Sequence, residues 1–122
     1  MKVYMTKSVK IWAAKERVAQ KRLHEAALEV GRGRYAANLG GGLYKQRVAL
    51  VGRGKSGGAR TLLCFNHRDR VIFLFGFKKN QLENVSREAK SALKLLAKQF
   101  NQYSNEEVAI AVHSGELFPI GD

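Results

Sequence analysis

The chain has 122 residues, 45% of them hydrophobic, with one proline and one cysteine, enough to bury a core and too apolar for a disordered segment. One cysteine cannot close an internal disulfide, no apolar run approaches the roughly 18 residues of a membrane span, and no run of signal-peptide type opens the sequence. A cytoplasmic protein without a membrane partner is expected.

The formal charge is +12, and it is uneven. Residues 1–40 carry nine cations and three anions, residues 41–79 nine cations and one anion, Asp69, and residues 80–122 four cations and six anions. A basic segment with a lone acid points to a polyanionic partner, because clustered cations release counterions from a phosphate backbone. The competing reading is a solubilising surface.

Residues 2–5 read as a short strand. Residues 7–30 contain no Gly or Pro and space Trp12, Ala13, Leu23, Ala26, Ala27 and Val30 at helical intervals. This predicts one long helix, or two joined near residues 16–19, stopped by Gly31. The stretch GRGRYAANLGGG then reads as a basic, glycine-rich loop. Three strand-like runs follow. Residues 43–50 alternate, 59–65 are apolar after Arg60, and 71–77 are apolar apart from Gly76, the pattern of a central strand buried on both faces. The connections VGRGKSGG and Asn66-His67-Arg68-Asp69-Arg70 are too short for a parallel crossover, so an antiparallel meander is expected.

From Leu82 the helical period returns, with Leu82, Val85, Ala89, Leu93, Leu96 and Phe100 on one stripe. Asn80 with Glu83 fits its N-terminal cap. Ser104 with Glu107 fits the capping box of a last short helix, which Ser114-Gly115 would end. The expected fold is α+β in a single domain over 1–122: N-terminal helices, a small antiparallel sheet (a meander of three to four strands) and C-terminal helices.

Lys45 and Arg47 stand two apart in a strand and so share a face, about 6.6–6.8 Å apart along the chain. Two like charges there repel unless an anion sits between them, although an exposed sheet face would tolerate both. Arg53, Lys55 and Arg60 follow with no carboxylate among them, and a hairpin would carry Arg60 to the first pair. The glycines of the intervening loop let backbone N–H groups approach a phosphate. Its Gly54-Lys55-Ser56 is not a nucleotide-binding loop, since Ala49 stands where the motif needs glycine and a strand-like run follows instead of a helix. Lys78 and Lys79 end the last apolar run and precede Asn80. His24, His67 and His113 are scattered and read as surface residues, and Cys64 reads as core. No metal-ligand set and no Ser/His/Asp set is visible, so any nuclease chemistry is expected to proceed without metal or cofactor.

Residues 39–80, LGGGLYKQRVALVGRGKSGGARTLLCFNHRDRVIFLFGFKKN, resemble the RelE and HigB toxins of type II toxin–antitoxin systems, with the best fit to a HigB-like branch carrying a GKxGGxR loop. The flanks agree in layout. The resemblance implies a RelE-like microbial ribonuclease-type fold and cleavage of messenger RNA on the ribosome. It also implies neutralisation by a cognate antitoxin, expected to be a helix-turn-helix protein through which operator DNA is reached. By motif, Lys45 matches the first site lysine, Arg47 the second site cation and Arg60 the arginine that closes the loop. Lys79 and Asn80 fall where late-strand site residues occur. Arg53, Lys55 and Lys78 are the expected phosphate contacts, and Lys45 is the candidate base. The sequence departs from RelE in having Asn80 in place of an arginine and no tyrosine at 81–87, which leaves the general acid unassigned. Two other functions stay open: a gyrase poison of the related ParE type, and a non-catalytic basic nucleic-acid-binding module.

Overall fold

The computed structural model describes residues 1–50, 58–66, 69–78 and 86–121. Along the chain it forms β1 (Lys2–Thr6), α1 (Lys7–Lys15), α2 (Gln20–Gly31), β2 (Ala37–Gly40), β3 (Leu43–Val48), β4 (Ala59–Asn66), β5 (Arg70–Lys78), α3 (Arg87–Asn101), α4 (Asn105–His113) and β6 (Leu117–Pro119). The strands make one six-stranded sheet in the order β2-β3-β4-β5-β1-β6.

The antiparallel meander β3–β4–β5 is as expected, but the sheet is larger and mixed. β1 lies parallel to β5, with Val3 opposite Val71, and β6 pairs antiparallel with β1. The chain between β1 and β5 is long enough for a parallel arrangement, and short edge strands carry little periodicity to betray them. β2 lies inside the stretch expected to be a loop. Gly41 and Gly42 follow it with φ of 65° and 82°, the left-handed backbone that a tight two-residue hairpin needs.

Alternation along the strands sorts side chains into two cores. Val3, Met5, Val48, Leu63, Val71 and Phe73 face α1 and α2. Leu43, Leu62, Cys64, Ile72, Leu74 and Phe77 face Ala97 and Phe100 of α3 and Val108 and Ala111 of α4. The N-terminal helical stretch breaks where expected, between residues 16 and 19, with Arg17 at φ 57°. The capping box of Ser104 and Glu107 forms in full. α3, however, opens at Arg87 and not at Leu82. Ser86 is extended there and its hydroxyl accepts the Ala89 N–H at 3.0 Å, satisfying one of the orphan donors of the first turn. Asn80, Leu82 and Val85 lie outside the described residues.

A β-bulge decides which side chains share the α3 face. Leu63 pairs with Phe73, whereas Leu62 pairs with Phe75, so Leu74 is the extra residue of β5. The parity of β5 therefore reverses beyond Leu74. Phe75 and Phe77 join the α3 face, and Gly76 turns to the other side. Trp12 lies directly on Gly76, where a Cβ would collide with the indole. The run 71–77, expected to be buried throughout, is buried except at its bulged end, where Phe75 is 38% exposed.

Arg70, read from sequence as part of a polar turn, is buried. Its Nη2 donates to the carbonyls of Phe100 at 2.8 Å and Tyr103 at 2.9 Å. A cation there satisfies carbonyls at the C-terminus of α3 and complements the negative end of the helix dipole. Asn66 and Asn101 add a reciprocal clamp, Asn66 Nδ2 donating to the Asn101 carbonyl and Asn101 Nδ2 to the Phe65 carbonyl. The C-terminal end of α3 is thus pinned over the turn end of β4 and β5.

Two predictions follow from this packing. Arg70→Met is expected to lower unfolding free energy by roughly 2–4 kcal/mol, since it removes hydrogen bonds from a charged donor and leaves carbonyls bare. A urea midpoint within about 0.5 kcal/mol of wild type, the range of an ordinary surface change, would contradict the assigned role. Cys64 is fully buried and burial pushes its thiol up to about 12, so a thiol reagent at mildly alkaline pH should label the protein only as it unfolds. Prompt labelling of the native protein would show that this core opens more readily than its packing implies.

Candidate functional site

The register of the meander lays two rows of side chains across the α3 face. In one, Arg47 is opposite Arg60 and Arg60 opposite Phe77; in the other, Lys45 is opposite Leu62 and Leu62 opposite Phe75. Adjacent strands lie about 4.7–4.9 Å apart, so each row spans roughly 10 Å. The sequences of β3, β4 and β5 contain no Asp or Glu. α3 covers the turn end of this face through Ala97 and Phe100, while its residues 86–92 are exposed. At the other end Arg47 and Phe75 are exposed and Lys45 is half-buried.

Arg60 is only 9% exposed. Its Nη1 donates to the carbonyls of Gly58 at 3.5 Å and Ala59 at 3.4 Å. Burial holds the guanidinium below its ordinary value, and Arg47 across the strand lowers it further. An arginine stays charged regardless. A bound anion at this pair of cations would favour the charged form of both.

The cavity between α2 and the outer edge of β3 is electrostatically different. It has a volume of about 270 Å³ and is lined by Arg22, Glu25, Glu29, Arg32, Gln46 and Arg47, among others. Two of its lining cations lie beside carboxylates, Arg22–Glu25 at 3.2 Å and Arg32–Glu29 at 3.3 Å. It is the better-formed hollow but the poorer anion site. Gln46 closes its floor: Nε2 donates to the carbonyls of Ala26 and Arg34, and Oε1 accepts the Arg47 N–H at 3.0 Å. This bracket holds β3 against α2 and so fixes where Lys45 and Arg47 project. A glutamine in a strand gives no sequence cue to such a role.

The structure brings Lys45, Arg47 and Arg60 together. It does not bring Lys78 to them. Lys78 is opposite Ala59 and so one residue out of phase with Arg60, and its Nζ lies 3.7 Å from the Glu16 carboxylate at the end of α1. Arg53, Lys55, Lys79 and Asn80 lie outside the described residues, as does His67. His24 is half-buried on α2 and His113 exposed at the end of α4. Among the described residues no group of three His, Cys, Asp or Glu could hold a metal ion. Asp69 sits at the turn end of the sheet, far along β4 and β5 from Arg60, and its carboxylate lies 3.2 Å from the terminal amine of Met1.

Sequence reasoning missed Phe75, because the bulge that turns it toward Lys45 and Arg60 leaves no mark on the hydrophobic pattern. With it the face offers three cations and an exposed aromatic ring. Such a surface can hold a phosphodiester and favour negative charge that develops on its oxygens.

Among the described residues no helix is long and apolar enough to cross a membrane. A search among curated proteins finds no match. Residues 1–120 match the family model described as the RelE toxin of the RelE / RelB toxin-antitoxin system. That match extends over nearly the whole chain, well beyond the central segment that carries the three cations: the chain belongs to the RelE family of toxins.

Proposed function

We propose that this RelE-family toxin is a ribosome-dependent messenger-RNA endonuclease of the HigB-like branch. It acts in the cytoplasm as a single toxin domain and is held in check by a cognate antitoxin, a helix-turn-helix protein that also links the pair to operator DNA. The observation that carries the reading is the cross-strand pair Arg47 and Arg60 with Lys45 two residues away on the same acid-free face. A gyrase poison has no need of such a phosphate-binding set.

The chemistry proposed is in-line attack of a ribose 2′-hydroxyl on the adjacent phosphorus, which expels the 5′-oxygen of the next nucleotide, protonated by water as it leaves, and leaves a cyclic phosphate. The neutral amine form of Lys45 takes the hydroxyl proton. Arg47 and Arg60 stabilise the extra negative charge on the non-bridging oxygens, an effect largest where water is scarce, as around the buried Arg60 guanidinium. Lys79 and Asn80 complete the proposed catalytic set, and Arg53 and Lys55 are proposed phosphate contacts along the flanking RNA.

Arg60→Met tests the reading. It keeps most of the buried volume while removing the positive charge. Cleavage of messenger RNA on programmed ribosomes should fall by about 10²–10³-fold in a protein that still folds. A soluble, folded Arg60→Met protein that still arrests growth fully would refute the assignment.

The catalytic step is proposed to be metal-independent, because β3, β4 and β5 carry no Asp or Glu to hold a divalent cation. With ribosomes kept intact, the cleavage rate should be the same in magnesium, calcium and manganese. A rate that follows the Lewis acidity of the ion would count against this step.

A further inference from the structure

Single exposed apolar residues are ordinary on protein surfaces, but Phe75 is not placed as an ordinary one. It pairs with Leu62 of β4, beyond the end of the β1 pairing, and its neighbours Leu62, Leu74 and Phe77 are buried. It reaches this face only because the bulge at Leu62/Leu63 reverses the parity of β5. In unbroken register it would point toward α1 and α2, and Gly76 would lie beside Arg60. Bulges that re-aim a side chain are enriched next to functional sites.

What surrounds the ring is equally specific. Leu62 separates Phe75 from Lys45 in one row, and Arg60 is its diagonal neighbour in the next, at about 7–8 Å. Phe77 lies beside Phe75 along the same face, with ring centroids 6.1 Å apart and planes inclined by 26°. Phe77 is itself buried, so Phe75 has a packed aromatic neighbour on one side. A partly exposed aromatic ring beside cations fits a ligand that carries a flat π-surface within one residue of a phosphate. An unpaired nucleotide is such a ligand. A protein partner would need an apolar surface here, and the cations around Phe75 make that the poorer fit.

We propose that Phe75 is the base-stacking residue of the site: it holds the nucleobase next to the phosphate that Lys45, Arg47 and Arg60 bind, and so sets the scissile bond in register. This rests on the endonuclease reading above. Stacking accepts every base, so Phe75 supplies affinity and placement, with any preference among bases following their stacking strength.

The experiment uses ribosomes programmed with messenger RNAs in which one nucleotide at a time around the cut lacks its base. Wild type should lose roughly ten- to hundred-fold in cleavage at one position and little at the others. Phe75→Ala should show a comparable loss on intact message and no further loss at that position, because the base and the ring act as one pair. Phe75→Trp should retain activity, and Phe75→Leu, apolar but not planar, should not. Phe75→Ala cleavage equal to wild type, or an undiminished response to base removal at every position, overturns the proposal while leaving the endonuclease reading in place. Loss of antitoxin binding by Phe75→Ala with cleavage unchanged also overturns it and assigns the ring to the protein partner. If wild type cuts none of the messages, the endonuclease reading fails and the stacking role fails with it.

Discussion

β4 has apolar side chains on both of its faces, and neither face can be left in water. Leu63 points to one side and Leu62 and Cys64 to the other, all fully buried. Each such side chain contributes about 1.5–3 kcal/mol only if something covers it. The two helical layers meet this need, α1 and α2 on one face and α3 and α4 on the other. The rest of the architecture, including the parallel return of β1 beside β5, extends that doubly covered centre.

The site lies where the cover stops. α3 is fastened at its C-terminal end by Arg70, Asn66 and Asn101, so its buried residues lie at the turn end of the meander and its first turns reach beyond the packed core. The end of the face left open is the end that carries Lys45, Arg47 and Phe75. Arg60 sits at the boundary, dry enough for its charge to be costly and close enough to Arg47 for each cation to oppose the other. Around α2, by comparison, the arginines are matched with Glu25 and Glu29.

Much of this was legible in the sequence. Helical spacing located α1 and α2, the capping box of Ser104 and Glu107 located α4, and one alternating run followed by two apolar ones located the meander. Lys45 and Arg47 were placed on one face by the two-residue period, and Arg60 was brought to them by the hairpin. Family resemblance supplied the toxin reading that the match over residues 1–120 bears out. Two of the misreadings share a cause: β6 and the burial of Arg70 each depend on a partner distant in the chain, and local pattern carries no record of it.

The sequence by itself determined which residues are apolar, which are charged and with what period, because a strand or helix exposes its neighbours at fixed intervals. That is enough to predict an α+β fold, a basic meander and three of its cations. Only the tertiary structure decided which cations stay together, since Lys78 is turned to Glu16 by the phase of β5. It alone decided that Arg60 is buried and that Phe75 faces it. A bulge inserts one residue into one strand and inverts every side chain beyond it. It arises from how β4 and β5 settle against two helical layers at once, a balance no stretch of sequence holds by itself.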